Sequence, residues 1–122
     1  MARLAVVEDN PDNRLLLRAI LGADFEVSEY DNGAAALAAF AAVRPHVVLL
    51  DISLPGMDGL EILARIRADA QLAGLRVIAL TAHAMAGDRE KYLSAGFDDY
   101  VTKPIIDEQI LIGAIARQLA RG

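Results

Sequence analysis

The chain contains no cysteine. That excludes a disulfide framework, thiol chemistry and Cys-ligated zinc. It also lacks any apolar run near the ~20 residues needed to cross a bilayer, so a membrane span is not expected. The opening "MARLAVVEDN" has one arginine before a short apolar run that meets two acids, which is no secretory signal. A cytoplasmic protein fits these absences best. Basic charge is scarce as well. The formal net charge is −5, and direct nucleic-acid binding wants a basic face against the phosphates. No linker, repeat or second block of composition divides the 122 residues, so 1–122 reads as one domain, long enough to bury a core. What is present is 55% hydrophobic and 24% charged residues, the balance of a folded globular chain.

Three runs, "LAVVED" (4–9), "HVVLLD" (46–51) and "RVIALT" (76–81), are continuously β-branched or leucine-rich instead of alternating. Strands buried on both faces of a parallel sheet read this way. "FEVSEY" (25–30) and "DDYVTK" (98–103) are weaker strand candidates. Helical stretches separate them. Residues 10–22 have Asn10 as N-cap, Pro11 at the first helical position and Gly22 as a stop. The alanine-rich segment 32–43 has good helix propensity and an expected inward stripe of Leu37, Phe40 and Ala41. Segment 59–70 spaces Leu60, Ile62, Leu63 and Ile66 helically, 87–96 is short and ends at a glycine, and 107–122 repeats Leu111, Ala114, Ile115 and Leu119. Five alternations of strand and helix imply right-handed βαβ units around a parallel sheet. The crevice of such a fold lies at the carboxyl ends of the strands, where the strand order reverses.

Those strand ends carry chemistry. Strand one ends in Glu8 and Asp9, strand three in Asp51, strand four in Thr81, and Lys103 follows strand five. If these strands are neighbours, the five side chains converge. Three carboxylates together repel and raise one another's pKa, and a hard divalent cation such as Mg²⁺ relieves the repulsion. A lysine and a hydroxyl beside the metal suit an arriving anion. Metal, ammonium and hydroxyl around one carboxylate make a phosphoryl-transfer arrangement with that carboxylate as nucleophile.

The motifs "VVEDN", "LLDISLPGMDG", "ALTA" and "YVTKPI", in this order over the whole chain, resemble the response-regulator receiver domains of two-component signalling. The closing stretch is most similar to DivK-like single-domain response regulators and to the receivers of hybrid histidine kinases. The resemblance implies a flavodoxin-like (βα)5 fold, a five-stranded parallel sheet of order 2-1-3-4-5 with helices on both faces. It implies that Asp51 is the phosphoacceptor, taking a phosphoryl group from a phosphohistidine. It also implies Mg²⁺, or Mn²⁺ in its place, on Asp9, Asp51 and the Ser53 backbone carbonyl, with Glu8 acting mainly through a coordinated water. Thr81 would reach the phosphoryl group and Lys103 would pair with it. Such a domain catalyses its own phosphorylation and dephosphorylation and is no metabolic enzyme.

Further roles follow from the same resemblance. Thr81 and Tyr100 form the switch, biasing the surface of helix four, strand five and helix five toward a downstream protein partner. Ser53 and His83 line access to the phosphoryl group and tune its lifetime. Pro55 and Gly59 shape the turn after the phosphoacceptor, and a cis peptide before Pro104 aims Lys103 inward. Met57 is expected to be exposed, and His46 to be structural. The residue after "KPI" is usually a helix-capping Ser, Thr or Asp, but Ile106 stands there. Asp107 is therefore expected to cap one residue late, which leaves the exposure of Ile110 and Ile112 open. The partners implied are a sensor histidine kinase or histidine phosphotransfer protein, with the receiver a monomer or weak homodimer. A stand-alone receiver without an output domain is the first reading, and one excised from a hybrid kinase the second. A flavin-type binder would need a Gly/Ser/Thr phosphate loop where "EDNPDN" stands. A haloacid-dehalogenase-type hydrolase would need an acid at Ser53, and nothing in the pocket favours an inert pseudo-receiver.

Overall fold

The computed structural model describes residues 2–82, 87–103, 105 and 107–121. Five parallel strands, β1 (Arg3–Val7), β2 (Glu26–Tyr30), β3 (Val47–Asp51), β4 (Arg76–Thr81) and β5 (Asp99–Thr102), form one sheet of order β2-β1-β3-β4-β5. They alternate with α1 (Pro11–Leu21), α2 (Gly33–Val43), α3 (Gly59–Ala68), α4 (Asp88–Ala95) and α5 (Glu108–Arg121). The fold is the flavodoxin-like arrangement expected.

The runs that read most strongly as strands are the three central ones, buried along nearly their whole length. The two weak candidates are the edge strands, β2 half-buried and β5 mixed, because an edge strand needs less apolar surface. Strand alternation divides the core in two. Leu4, Val6, Val47, Leu49, Ile78 and Leu80 pack against α1 and α5. Ala5, Val7, Val48, Leu50, Val77 and Ala79 pack against α2, α3 and α4.

Local chemistry sets the helix starts. The Asn10 side-chain oxygen accepts from the N–H groups of Asp12 and Asn13, with Pro11 beginning α1. Asn32 accepts from Ala35 N and Asp58 from Glu61 N, in the manner of N-caps. Asp107 accepts from Gln109 N at 2.9 Å, so the late cap holds. With α5 thus phased, Ile110 is 60% exposed while Ile112 packs partly against the core.

Two sequence expectations are corrected. In α2 the buried residues are Gly33, Ala36 and Phe40, with Leu37 half-buried and Ala41 exposed. Ala41 sits about 100° around the helix from Phe40, beyond the covered stripe. Met57 is half-buried against the core instead of exposed, because its Sδ lies beside Gly33 at the start of α2. Among the described residues no helix is long and apolar enough to cross a membrane.

Candidate functional site

The chain leaves β1 for β2 on one side and reaches β3 on the other, so the strand order reverses between β1 and β3. Glu8 and Asp9 stand just beyond β1, and Asp51 is the last residue of β3. Their carboxylate oxygens lie within 4.8 Å of one another. Lys103, just past β5, places Nζ 3.1 Å from Glu8 Oε1 and 3.0 Å from Asp51 Oδ2. The other Asp51 oxygen, Oδ1, accepts from the Ser53 backbone N–H at 3.0 Å. Both oxygens of Asp51 are thereby oriented, and the rigid, buried β3 behind it fixes their position. Asp9 is exposed and opens the cluster to solvent.

Three carboxylates face one ammonium, and the surroundings divide them. Burial, then hydrogen bonding to Asp51, raises the Glu8 carboxyl from 4.5 to about 7. Burial also pushes Asp51 up, but its hydrogen bonds from Glu8, the Ser53 N–H and Lys103 outweigh that, and it ionises more readily than an ordinary aspartate. Burial favours a neutral Lys103, yet Asp51 and Glu8 hold it charged above its usual range. Glu8 thus takes up a proton before Asp51 does, and Asp51 stays an anion.

The donor set suits a hard divalent cation. It is all oxygen, it carries excess negative charge, and among the described residues Glu8 Oε2 is buried without a hydrogen-bond partner. A buried carboxylate oxygen left so is costly unless a proton or a cation meets it.

The comparisons agree with this geometry. Residues 4–116 match the family model described as the response regulator receiver domain. The chain is a receiver domain.

Its relatives include the DivK polar-differentiation response regulator of Brucella anthropi, 40% identical over 101 residues that cover 82% of each protein. The GacS sensor protein of Pseudomonas syringae pv. syringae is 41% identical over 114 residues, 88% of this chain but 12% of that protein. The receiver therefore spans only a small part of some curated relatives it matches. Among solved structures, the receiver domain of the sensor histidine kinase PA1611 from Pseudomonas aeruginosa superposes with a TM-score of 0.87 at 33% identity, covering 98% of each chain. That protein was crystallised with magnesium coordinated in its active-site cleft.

The remaining expected residues divide into groups. Thr81 follows Val77 and Ala79 in strand alternation, so it projects toward α3 and α4, on the opposite face of the sheet from the parity of Asp51. Its hydroxyl shares a 3.3 Å hydrogen bond with the Tyr92 hydroxyl, and its carbonyl accepts from Lys103 N at 2.7 Å. Tyr100 is half-buried on that same face, 6.2 Å from the Tyr92 ring. Gly59 has a steric reason: a Cβ there would lie 2.6 Å from the Asp51 carbonyl oxygen and 2.7 Å from Ile52 Cα. Pro55 is exposed and its carbonyl accepts from Met57 N, so it belongs to the turn. His83, Ile106 and the cis peptide expected before Pro104 lie outside the described residues. His46 accepts from Arg3 N through Nδ1 at 2.9 Å and ties β1 to the start of β3, a structural role.

Three contacts escaped the sequence reading. Asn13 Nδ2 donates to Glu8 Oε1 at 2.6 Å. Arg14 Nη1 donates to the carbonyls of Glu8 and Asp9 at 2.8 and 3.1 Å, fixing the backbone that presents both acids. Tyr92 reaches Thr81. The one available signal was a tyrosine in a mostly polar helix, since a buried phenol requires a partner.

Proposed function

We propose that this receiver is a phosphoacceptor switch in which Asp51 takes a phosphoryl group from the phosphohistidine of a sensor kinase or histidine phosphotransfer protein. The observation that carries the reading is an ionised, buried Asp51 oriented by the Ser53 N–H and Lys103 inside the Glu8–Asp9 acid cluster. An Asp51 carboxylate oxygen attacks phosphorus, the P–N bond breaks, and the donor imidazole leaves with the electron pair and takes up a proton. Glu8, Asp9, Asp51 and the Ser53 carbonyl would hold Mg²⁺, with Mn²⁺ able to replace it. That ion supplies Lewis-acid neutralisation of the phosphoryl oxygens.

The protein's own groups do the rest. Lys103 pairs with a phosphoryl oxygen as it exchanges the carboxylate for the more highly charged anion. Thr81, beside Leu80 that pairs with Asp51, is the nearest hydroxyl on the adjoining strand and turns to donate to the new oxygens. Tyr100 rotates into the vacated space, changing the α4–β5–α5 face that a downstream protein reads. Ser53 and His83 set the lifetime of the acyl phosphate, and the receiver works in the cytoplasm.

A second setting has a specific observation behind it. The GacS sensor proteins contain a matching segment within a much longer chain. In that setting the phosphoryl group passes on to a histidine phosphotransfer protein. Either way the test is incubation with acetyl phosphate and Mg²⁺ followed by intact mass. A single phosphate adduct that disappears in Asp51→Asn is expected. No adduct from a small donor or a protein donor overturns the reading.

A further inference from the structure

Helix α4 is seated in the core at one deep point among the described residues. It has eight residues, begins at Gly87 (φ +91°) without a side-chain cap, and among the described residues Tyr92 is its one buried side chain. Tyr92 is 3% exposed. Its ring meets Phe97 edge-on at 6.1 Å and Tyr100 at 6.2 Å. Its hydroxyl is hydrogen-bonded at 3.3 Å to Thr81 Oγ1. The side chain that seats α4 in the core is therefore bonded to the hydroxyl that the phosphoryl group is to recruit. The bond holds Thr81 toward the α3–α4 face, away from the face that carries Asp51 by strand parity.

We propose that Tyr92 is a positioning residue of the switch: its hydroxyl holds Thr81 in the resting orientation, and its release transmits the state of Asp51 to α4. This deepens the phosphoacceptor reading and rests on it. The physical argument is a competition for one hydroxyl. In the resting state Thr81 and Tyr92 satisfy each other inside the protein, where a buried polar group without a partner is costly. A phosphoryl group on Asp51 offers charged acceptor oxygens, and a hydrogen bond to an ionised acceptor is stronger than one between two neutral hydroxyls. Thr81 turns toward it, and the Tyr92 hydroxyl is left buried. Tyr92 must then find water or another group, and either response shifts the only deep anchor α4 has among the described residues. Tyr100, its ring tilted against that of Tyr92, feels the same change. The coupling is reciprocal: whatever fixes α4 in its resting seat also disfavours the phosphorylated state.

The test is beryllofluoride, a phosphoryl mimic, titrated with Mg²⁺ onto the intact chain and followed by the NMR signal of the Thr81 methyl group. Tyr92→Phe keeps the ring and removes the hydroxyl, so only the resting state loses a bond. Beryllofluoride should bind the variant roughly three- to tenfold more tightly, the size of one net hydrogen bond, and the Thr81 methyl signal without ligand should move toward its bound position. In a Thr81→Val background the same Tyr92→Phe change should leave affinity unaltered, because the bond is already absent. A Tyr92→Phe affinity equal to the parent's overturns the proposal. So does a shift of the same size in Thr81→Val, which would make Tyr92 a packing residue alone. A parent chain that binds no beryllofluoride, and takes no phosphoryl group on Asp51, overturns the phosphoacceptor reading itself and this inference with it.

Discussion

Binding of a divalent cation to this receiver is expected to expel a proton from Glu8. The carboxyl is raised from 4.5 to about 7, so near neutrality it is half protonated in the cation-free protein. Whether Glu8 meets the ion directly or across a water, the positive charge favours the ionised carboxylate, and proton and cation compete. The magnitude follows from the fraction ionised. At pH 8 about nine-tenths of the molecules present an ionised Glu8, and at pH 6 about one-tenth, so the apparent Kd for Mg²⁺ should weaken about tenfold across that range. Asp51 and Lys103 do not blur the effect, because their pKa values are moved down and up respectively, away from neutrality. Calorimetry in buffers of different ionisation heat counts the proton, and about half a proton per ion should leave at pH 7. Glu8→Gln should flatten the pH dependence between pH 6 and pH 8. A parent Kd that changes by less than about twofold over this interval, or a variant that keeps the slope, refutes the assignment of the proton to Glu8.

Three further outcomes follow from the same geometry. In chelator, the stability of the parent relative to Glu8→Gln should fall as pH rises from about 4.5 to about 7. The folded Glu8 binds its proton more tightly than the unfolded chain does, so its contribution is complete below pH 4.5 and lost as pH passes the raised folded value, by at most about 3 kcal/mol. Urea midpoints at pH 5 and 7.5 read this, and a relative rise contradicts it. Lys103→Met should destabilise the cation-free protein by about 3 kcal/mol, since it strands two buried carboxylates. Mg²⁺ should restore part of that loss, whereas equal urea midpoints for parent and variant would show that Lys103 does not hold the cluster. Gly59→Ala should cost about 1–3 kcal/mol and slow phosphoryl uptake, because its Cβ meets the Asp51 carbonyl and Ile52 Cα, which are backbone and cannot swing aside. A variant with the parent's melting temperature and rate would remove Gly59 from the shape of the site.

Much of this molecule is written along the chain in local form. The unbroken runs ending at Val7, Asp51 and Thr81 announce strands covered on both faces. Asn10 with Pro11, and Asp107 before Glu108, announce helix starts. Acids, hydroxyl and lysine at the strand ends were legible because a parallel α/β sheet puts every strand's carboxyl end on the same edge. The errors fell where a residue's surroundings come from elsewhere. Ala41 and Met57 are equally apolar on paper, yet one is exposed and the other covered, and only the seating of α2 and of the β3–α3 turn determines which.

Sequence by itself determined the class of fold, the strand ends that matter and the carboxylate set suited to a cation. It did so because buried parallel strands and N-caps depend on residues close together in the chain. Tertiary structure alone decided how the charge is shared, with Glu8 half protonated near neutrality, Asp51 ionised and Lys103 between them. It alone joined Thr81 to Tyr92 across the sheet–helix interface. Burial and pairing at these places arise between residues many positions apart, and such energies exist only once the sheet has brought the strand ends together.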